Sequence, residues 1–338
     1  MKNRKTMSND FSQYIKLIGK GKKAGKYLDF QQAQDAMSAV LEKKATAEQV
    51  GAFLMLLRVR EESEQELAGF LTATKTKTMR SLSSLTPVDI DLGCYAGKRR
   101  HQFWLMLAIK TMVQHGYTFF LHGTSEPHSQ RLYLKQVWQE LGYEVSTTVE
   151  HANKMIATVG ACYMDLAVIN PALDELIQLR ETLGLRSCAN TLARMLNPSN
   201  AAVSLHGVYH RDFDLRHIEV AKLLNENNVA CFRGDGGEIE LNPERECIVH
   251  RVFNNHIESI TFPQLLPSWQ TKDRELSSAK LEQVWLAQQS DEYGEAAIIG
   301  TIAVMLYLIA PNSVEMCLNK AKQLWQQRDK NAQTQRSK

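Results

Sequence analysis

Three consecutive cations, Lys98, Arg99 and Arg100, follow the segment Asp91-Leu92-Gly93-Cys94-Tyr95-Ala96-Gly97. A short apolar run, Val88-Asp89-Ile90, precedes it, and an apolar stretch starts at Phe103. That order reads as strand, glycine turn and helix start, where α/β proteins hold phosphate groups on backbone N–H donors. The turn has no Ser, Thr or second acidic residue with which to organise a small phosphate and its metal. Cations stand there instead, which suits a longer polyanion.

Open α/β sheets gather ligands at the carboxyl ends of their strands. Four loops of glycine and cations fall at such places: 93–100, 122–131, 206–211 and 233–238. Arg131 follows the second, Arg211 the third, and Arg233 opens the last. A further basic arm includes Lys16, Lys20, Lys22, Lys23 and Lys26. His122, His206 and His210 show no metal-ligand spacing, and Ser187 and Ser204 sit in no nucleophile elbow. No catalytic residue and no metal ligand is assigned on spacing alone. In an extended segment Glu238 and Glu240 share one face, which suits either a metal or a solvated edge.

The elements that must position these residues are legible. Asp29 with Gln32, Thr46 with Gln49 and Ser63 with Glu66 each read as a helix cap with its reciprocal partner. Between them apolar residues recur at helical spacing, as in Val50, Phe53, Leu54 and Leu57. From Val88 onward short apolar runs alternate with helical segments: strands at 88–90, 117–121, 201–205 and 228–232, and helices near 130–141 and 217–225. That alternation predicts a mostly parallel sheet covered by helices. The expected organisation is a helical domain over 9–82, joined by about 171–195, then an α/β domain over 83–170 and 196–326. A polar tail occupies 327–338.

The chain has 338 residues, 44% of them hydrophobic, and a net charge of +3 that does not by itself imply a polyanion partner. Its six cysteines are scattered with no CxxC pair, as expected of reduced thiols in a cytoplasmic protein. No secretory pattern opens the sequence. The longest apolar run, Ala296 to Ala310, reads as a buried helix rather than a membrane span.

Two stretches carry a resemblance. Thr46 to Ala73, "TAEQVGAFLMLLRVREESEQELAGFLTA", resembles the N-terminal helices of anthranilate phosphoribosyltransferases, and Asn170 to Tyr209 resembles their central segment. The resemblance implies a helical N-terminal domain, a larger α/β domain of the phosphoribosyltransferase-like fold, and a homodimer formed through the helices. It also identifies remnants of the substrate site. Gly93 and Gly97 stand in the diphosphate turn, His122 and Gly123 in a second motif, and Arg180 in the aromatic-substrate pocket. Tyr95 stands where the family has glycine and blocks backbone approach to a diphosphate. Only one acidic position aligns with the family's Mg²⁺-binding pair. The pattern is similar to the divergent YbiB-like, second TrpD-type branch, which the resemblance associates with nucleic acid rather than biosynthesis.

The sequence therefore predicts a non-catalytic, largely sequence-independent nucleic-acid-binding homodimer, with single-stranded DNA the expected ligand, no membrane partner and no cofactor. Lys98, Arg99, Arg100, Arg131, Arg211, Arg233, Lys20, Lys22 and Lys23 are the expected phosphate contacts, with Tyr95 and Tyr209 placed to stack on bases. The alternative is a glycosyl- or phosphoribosyltransferase on another acceptor, using Mg²⁺, His122 and Glu238 or Glu240. A third reading is a protein-interaction module that offers the basic rim to an acidic partner.

Overall fold

The structure, a computed structural model, describes residues 11–21, 25–126, 129–273 and 275–331, with only the backbone given for 79–81. Lys22, Lys23 and part of the predicted tail lie outside these residues. Four helices open the chain: α1 (Ser12–Ile18), α2 (Phe30–Leu41), α3 (Ala47–Arg60) and α4 (Glu64–Ser81). The predicted caps form. Asp29 and Thr46 each accept from the N–H three residues on while that glutamine reaches back. Ser63 and Glu66 do the same, and the buried Glu66 also accepts from the Leu28 N–H and Arg60.

The second unit is built on β1 (Ile90–Cys94), β2 (Phe119–Gly123), β3 (Val145–Ser146), β4 (Ala161–Asp165), β5 (Val203–Val208), β6 (Val229–Arg233), β7 (Cys247–Phe253) and β8 (His256–Phe262). They form one sheet in the order β3-β4-β2-β1-β5-β6-β7-β8. The first six are parallel, and β7 and β8 run antiparallel at the edge. Every residue of β1, β2 and β5 is buried, as expected of central parallel strands covered on both faces. Helices α5 (Leu105–Gln114), α6 (Leu134–Glu140), α7 (Val149–Val159) and α8 (Leu166–Ile169) follow among the strands. Then come α9 (Pro171–Gln178), α10 (Arg180–Leu183), α11 (Cys188–Arg194) and α12 (Phe213–Leu223), with α13 (Ser278–Trp285), α14 (Glu292–Ile309) and α15 (Val314–Gln326) at the end.

Strands continue past the apolar runs that announce them, through His122-Gly123, Gly207-Val208 and Arg233. The parallel ladder carries them on, and small residues let neighbouring backbones close up: a Cβ on Gly123 would lie 2.4 Å from the Cys94 carbonyl oxygen. Gly93 consequently falls inside β1, opposite His122, rather than in the turn. α6 begins later than its periodicity predicts because Leu132 pairs with Lys98 in an isolated bridge.

Two large apolar clusters and a smaller one, of Val208, Ile218, Ala221, Val229, Cys231 and Val252 between α12 and the sheet, form the interior. One large cluster fills the α/β unit, and the other joins α1–α4 with Leu173, Leu176 and Ile177 of α9 and Cys188, Ala189 and Leu192 of α11. α14 is long and apolar enough to cross a bilayer, yet 67% of its most apolar window is buried inside the protein. Its Gly294 lies flat against the Trp104 ring.

Candidate anion-binding site

β1 lies between β2 and β5, and the chain winds outward from it in both directions, so the sheet's topological switch point is the β1/β5 pair. Crevices open there, at the strands' carboxyl ends. The segments at that edge are 95–100, 124–126 with 129–131, 209–211 and 233–240, close to the loops expected from sequence.

The glycine turn is already filled. Glu238 is buried, and its Oε1 accepts from the N–H groups of Ala96 (2.7 Å) and Gly97 (2.5 Å). Gly97 has φ +67°, and a Cβ there would press on Arg131 and the Tyr133 ring at 3.0 Å. Two residues on, Glu240 Oε2 accepts from the Leu105 N–H (2.8 Å), the first residue of α5. Backbone donors at a turn and at a helix N-terminus favour anions. Here the anions are the chain's own carboxylates.

Lys98 completes the plug, and it corrects the sequence reading. It is 1% exposed and bridges Asp235 (3.0 Å) and Glu240, so its ammonium cannot reach a phosphate in solvent. Burial alone would lower the Lys98 ammonium, but the two carboxylates outweigh that and hold it above its ordinary value. Burial pushes Glu240 up to about 7 against the pull of Lys98, whereas Asp235 ends below its ordinary value because burial is outweighed by Lys98, His101 and Arg245 together. Mg²⁺ does not fit this arrangement. The carboxylates that would hold a divalent ion face an ammonium and a pair of backbone N–H groups. Glu238 and Glu240 both turn to the segment after β1, each onto its own donors.

Beside the plug lies an arginine cluster, of which Arg99, Arg131 and Arg180 were expected from the sequence and Arg186 and Arg194 were not. Arg180 and Arg186 (3.0 Å) both pair with Glu126, a buried carboxylate after β2. Arg99 donates to the Ser129 carbonyl at 2.7 Å, and Arg131 donates to the carbonyls of Ala96 and Gly97, both at 3.0 Å. Arg194 donates to the Asn190 carbonyl at 2.6 Å. Burial, then the neighbouring Arg186, pulls the Arg194 guanidinium down to about 10. Arg131 is lowered for the same reasons, with Arg99 adding to the repulsion. Arg180 and Arg186 thus share Glu126, while Arg131 and Arg194 feel the charge of Glu238. Several polar atoms there lack partners: Nε of Arg131 and of Arg186, and both side-chain atoms of Asn190. One signal was available. Arg180, Arg186 and Arg194 are the only cations between Pro171 and Asn200.

The remaining predicted residues divide. Arg100 and Arg211 are exposed at the edge, and Arg233 is half-buried, its carbonyl accepting from Arg245. Lys20 is exposed just after α1. Tyr209 is 64% exposed and leans over Gly237, whereas Tyr95 is buried and cannot stack on a base. Its hydroxyl meets His122 Nδ1 at 2.6 Å, and His122 Nε2 meets Asp91 at 2.9 Å, with the Ser199 hydroxyl on the other Asp91 oxygen. Burial drives the Tyr95 phenol well above its ordinary value, so it stays protonated.

This architecture, a helical bundle and an α/β sheet with the site at its switch point, belongs to a known class. Residues 13–78 match the helical bundle domain of a glycosyl transferase family, and residues 136–327 match its a/b domain. The chain belongs to that family. It is similar to the anthranilate phosphoribosyltransferase of Dictyoglomus turgidum, 25% identical over 74% of this chain and 73% of that protein. It is equally similar to the protein YbiB of Escherichia coli, 25% identical over 70% of this chain and 74% of the other. Among solved structures, the Saccharomyces cerevisiae anthranilate phosphoribosyltransferase in complex with PRPP and Mg matches with TM-score 0.76, over 94% of each chain at 16% identity. At that identity the likeness speaks for the fold alone.

Proposed function

We propose that this chain is a nucleic-acid-binding protein on a glycosyl transferase scaffold, holding phosphates of the backbone without transferring a phosphoribosyl group. The observation that carries this reading is the self-filled cradle. Glu238 and Glu240 take the backbone donors, Lys98 takes the place between two acids, and Arg99, Arg131, Arg180 and Arg186 lie beside them, the last two sharing the single carboxylate of Glu126. Mobile phosphates would meet Arg99, Arg100, Arg131, Arg180 and Arg186 in place of the cradle. Phosphate contacts carry no sequence information, so binding is expected to be largely independent of sequence.

The protein would act as a cytoplasmic homodimer. Six unpaired, buried cysteines suit a reducing compartment. Ala52, Met55, Leu56 and Val59 make an incompletely covered stripe on α3, with Val59 80% exposed, which suits a helix-to-helix dimer contact.

Fluorescence anisotropy with labelled single-stranded and duplex DNA and RNA, over a range of salt, tests the proposal. With about six phosphates engaged, log affinity should fall with log salt at a slope near −4 on single strands. Replacing Arg99, Arg131 and Arg186 together by Ala should weaken binding on every sequence and flatten that slope by about 2. Undiminished binding by the triple variant would remove the arginines from the site.

Family membership supports a second reading, a transferase acting on a different acceptor, and Arg180 at the edge of the site favours it. Release of diphosphate from PRPP in the presence of candidate acceptors would establish it.

A further inference from the structure

Away from this edge, β5, β6 and α12 bring together a group of side chains that the anion site does not use. His206 on β5 and Cys231 on β6 are direct register partners across the parallel pair, so their side chains leave the same face of the sheet. His217 comes down onto them from α12, and all three residues are buried. One nitrogen from each ring and the Cys231 sulfur lie within 4.8 Å of one another. The two Nδ1 atoms are 3.3 Å apart. Two imidazole nitrogens bound to one ion at about 2.0 Å stand about 3.3 to 3.5 Å apart, so the rings already hold a chelating separation.

Two features sharpen the choice of ion. The Ser204 hydroxyl lies 3.1 Å from His206 Nε2, which fixes the ring and leaves Nδ1 facing the cluster. Histidine ligands characteristically have their other ring nitrogen held in this way. Among the described residues the cluster has three ligands and no fourth, which leaves a closed tetrahedral zinc site incomplete. Soft thiolate and imidazole donors in threefold arrangement suit copper. Burial and then Asp214 raise the Cys231 thiol well above its ordinary value, with Arg194 opposing them, so the sulfur gives up its proton only when an ion binds. The charge of the loaded site suits burial. One thiolate and two neutral imidazoles around Cu⁺ sum to zero, the least costly charge to bury.

We propose that His206, His217 and Cys231 form a buried three-coordinate site for Cu⁺. Loading breaks the Cys231 S–H bond and forms a sulfur–copper bond. The proton leaves to solvent, both histidines bind through neutral nitrogens, and no electron is transferred. Because the ligands come from two strands and the helix above them, the bound ion ties α12 to the sheet.

The test is an anaerobic titration of the reduced full chain with Cu⁺ buffered by bicinchoninate. Wild type should withdraw one equivalent, and X-ray absorption of the product should show one sulfur and two nitrogen neighbours. Cys231→Ser should weaken binding by more than about 100-fold, and Ser204→Ala, which keeps every ligand, by about 10-fold. Circular dichroism establishes that both variants fold. Equal affinity in wild type and Cys231→Ser overturns the site. So does coordination by sulfur alone, which would move the ion to thiols such as the neighbouring Cys247, and so does tighter binding of Zn²⁺ than of Cu⁺.

Discussion

Replacing Lys98 by Met removes one ammonium of nearly the same length and leaves Asp235 and Glu240 facing each other in the interior. Taking one partner from a buried ion pair costs about 3–5 kcal/mol, because the remaining charge is desolvated and uncompensated. The loss depends on pH, and its sign follows from Glu240. Burial already raises that carboxyl to about 7 with Lys98 present. Without Lys98 it rises further above its unfolded value. A carboxyl raised in the folded state stabilises that state at low pH and loses the contribution as pH climbs toward the folded value. Below about pH 7 both folded proteins keep Glu240 protonated, so the deficit should change little through this group; above about 7 it should grow by about 1.4 kcal/mol per pH unit, because only the variant still holds the proton when folded. Urea unfolding at pH 5, 6, 7 and 8, followed by tryptophan fluorescence, reads this directly, since Trp104 lies just before α5, which Glu240 caps. Oligonucleotide affinity should be unchanged wherever the variant is folded. A variant of wild-type stability with strongly weakened binding would refute the reasoning and restore Lys98 to the phosphate-contacting surface.

Tyr95→Phe deletes the hydroxyl on His122 Nδ1 and leaves a buried ring nitrogen unpaired, which should cost about 1–3 kcal/mol in urea unfolding. Nucleic-acid binding should not change, since the Tyr95 ring is inaccessible. Burial lowers His217 to about 3, so between that value and about 6.5 the unfolded chain binds a proton that the folded chain refuses. Stability of the metal-free protein should fall as pH drops through this window. His217→Gln should remove about 2 kcal/mol of the loss between pH 7 and pH 5, measured as the difference between the two proteins.

The parts of the molecule legible in its sequence are those set by near neighbours. The caps at Asp29, Thr46 and Ser63 are settled within three residues. The alternation of apolar runs and helices is likewise local, and so the parallel sheet and its loaded carboxyl edge could be anticipated. The site's chemistry was not local. Lys98 reads as a surface cation beside Arg99 and Arg100 until the chain returns 137 residues later with Asp235 and then Glu240. Glu238 and Glu240 look alike in an alternating segment, yet one turns to the Ala96 and Gly97 N–H groups and the other to Lys98 and α5. The cluster of His206, His217 and Cys231 has no spacing motif, because strand register rather than sequence proximity assembles it. Arg180 was named through the resemblance, and Arg186 and Arg194 were within reach as the other cations between Pro171 and Asn200.

The central claim is that the chain's own carboxylates occupy the places a diphosphate and its metal would need. Calorimetric titration of the wild-type protein with PRPP, with and without Mg²⁺, tests it most directly. No Mg²⁺-dependent heat is expected, because Glu238 and Glu240 hold the backbone donors and Lys98 holds the acids. Saturable, Mg²⁺-dependent binding in the micromolar range would contradict it.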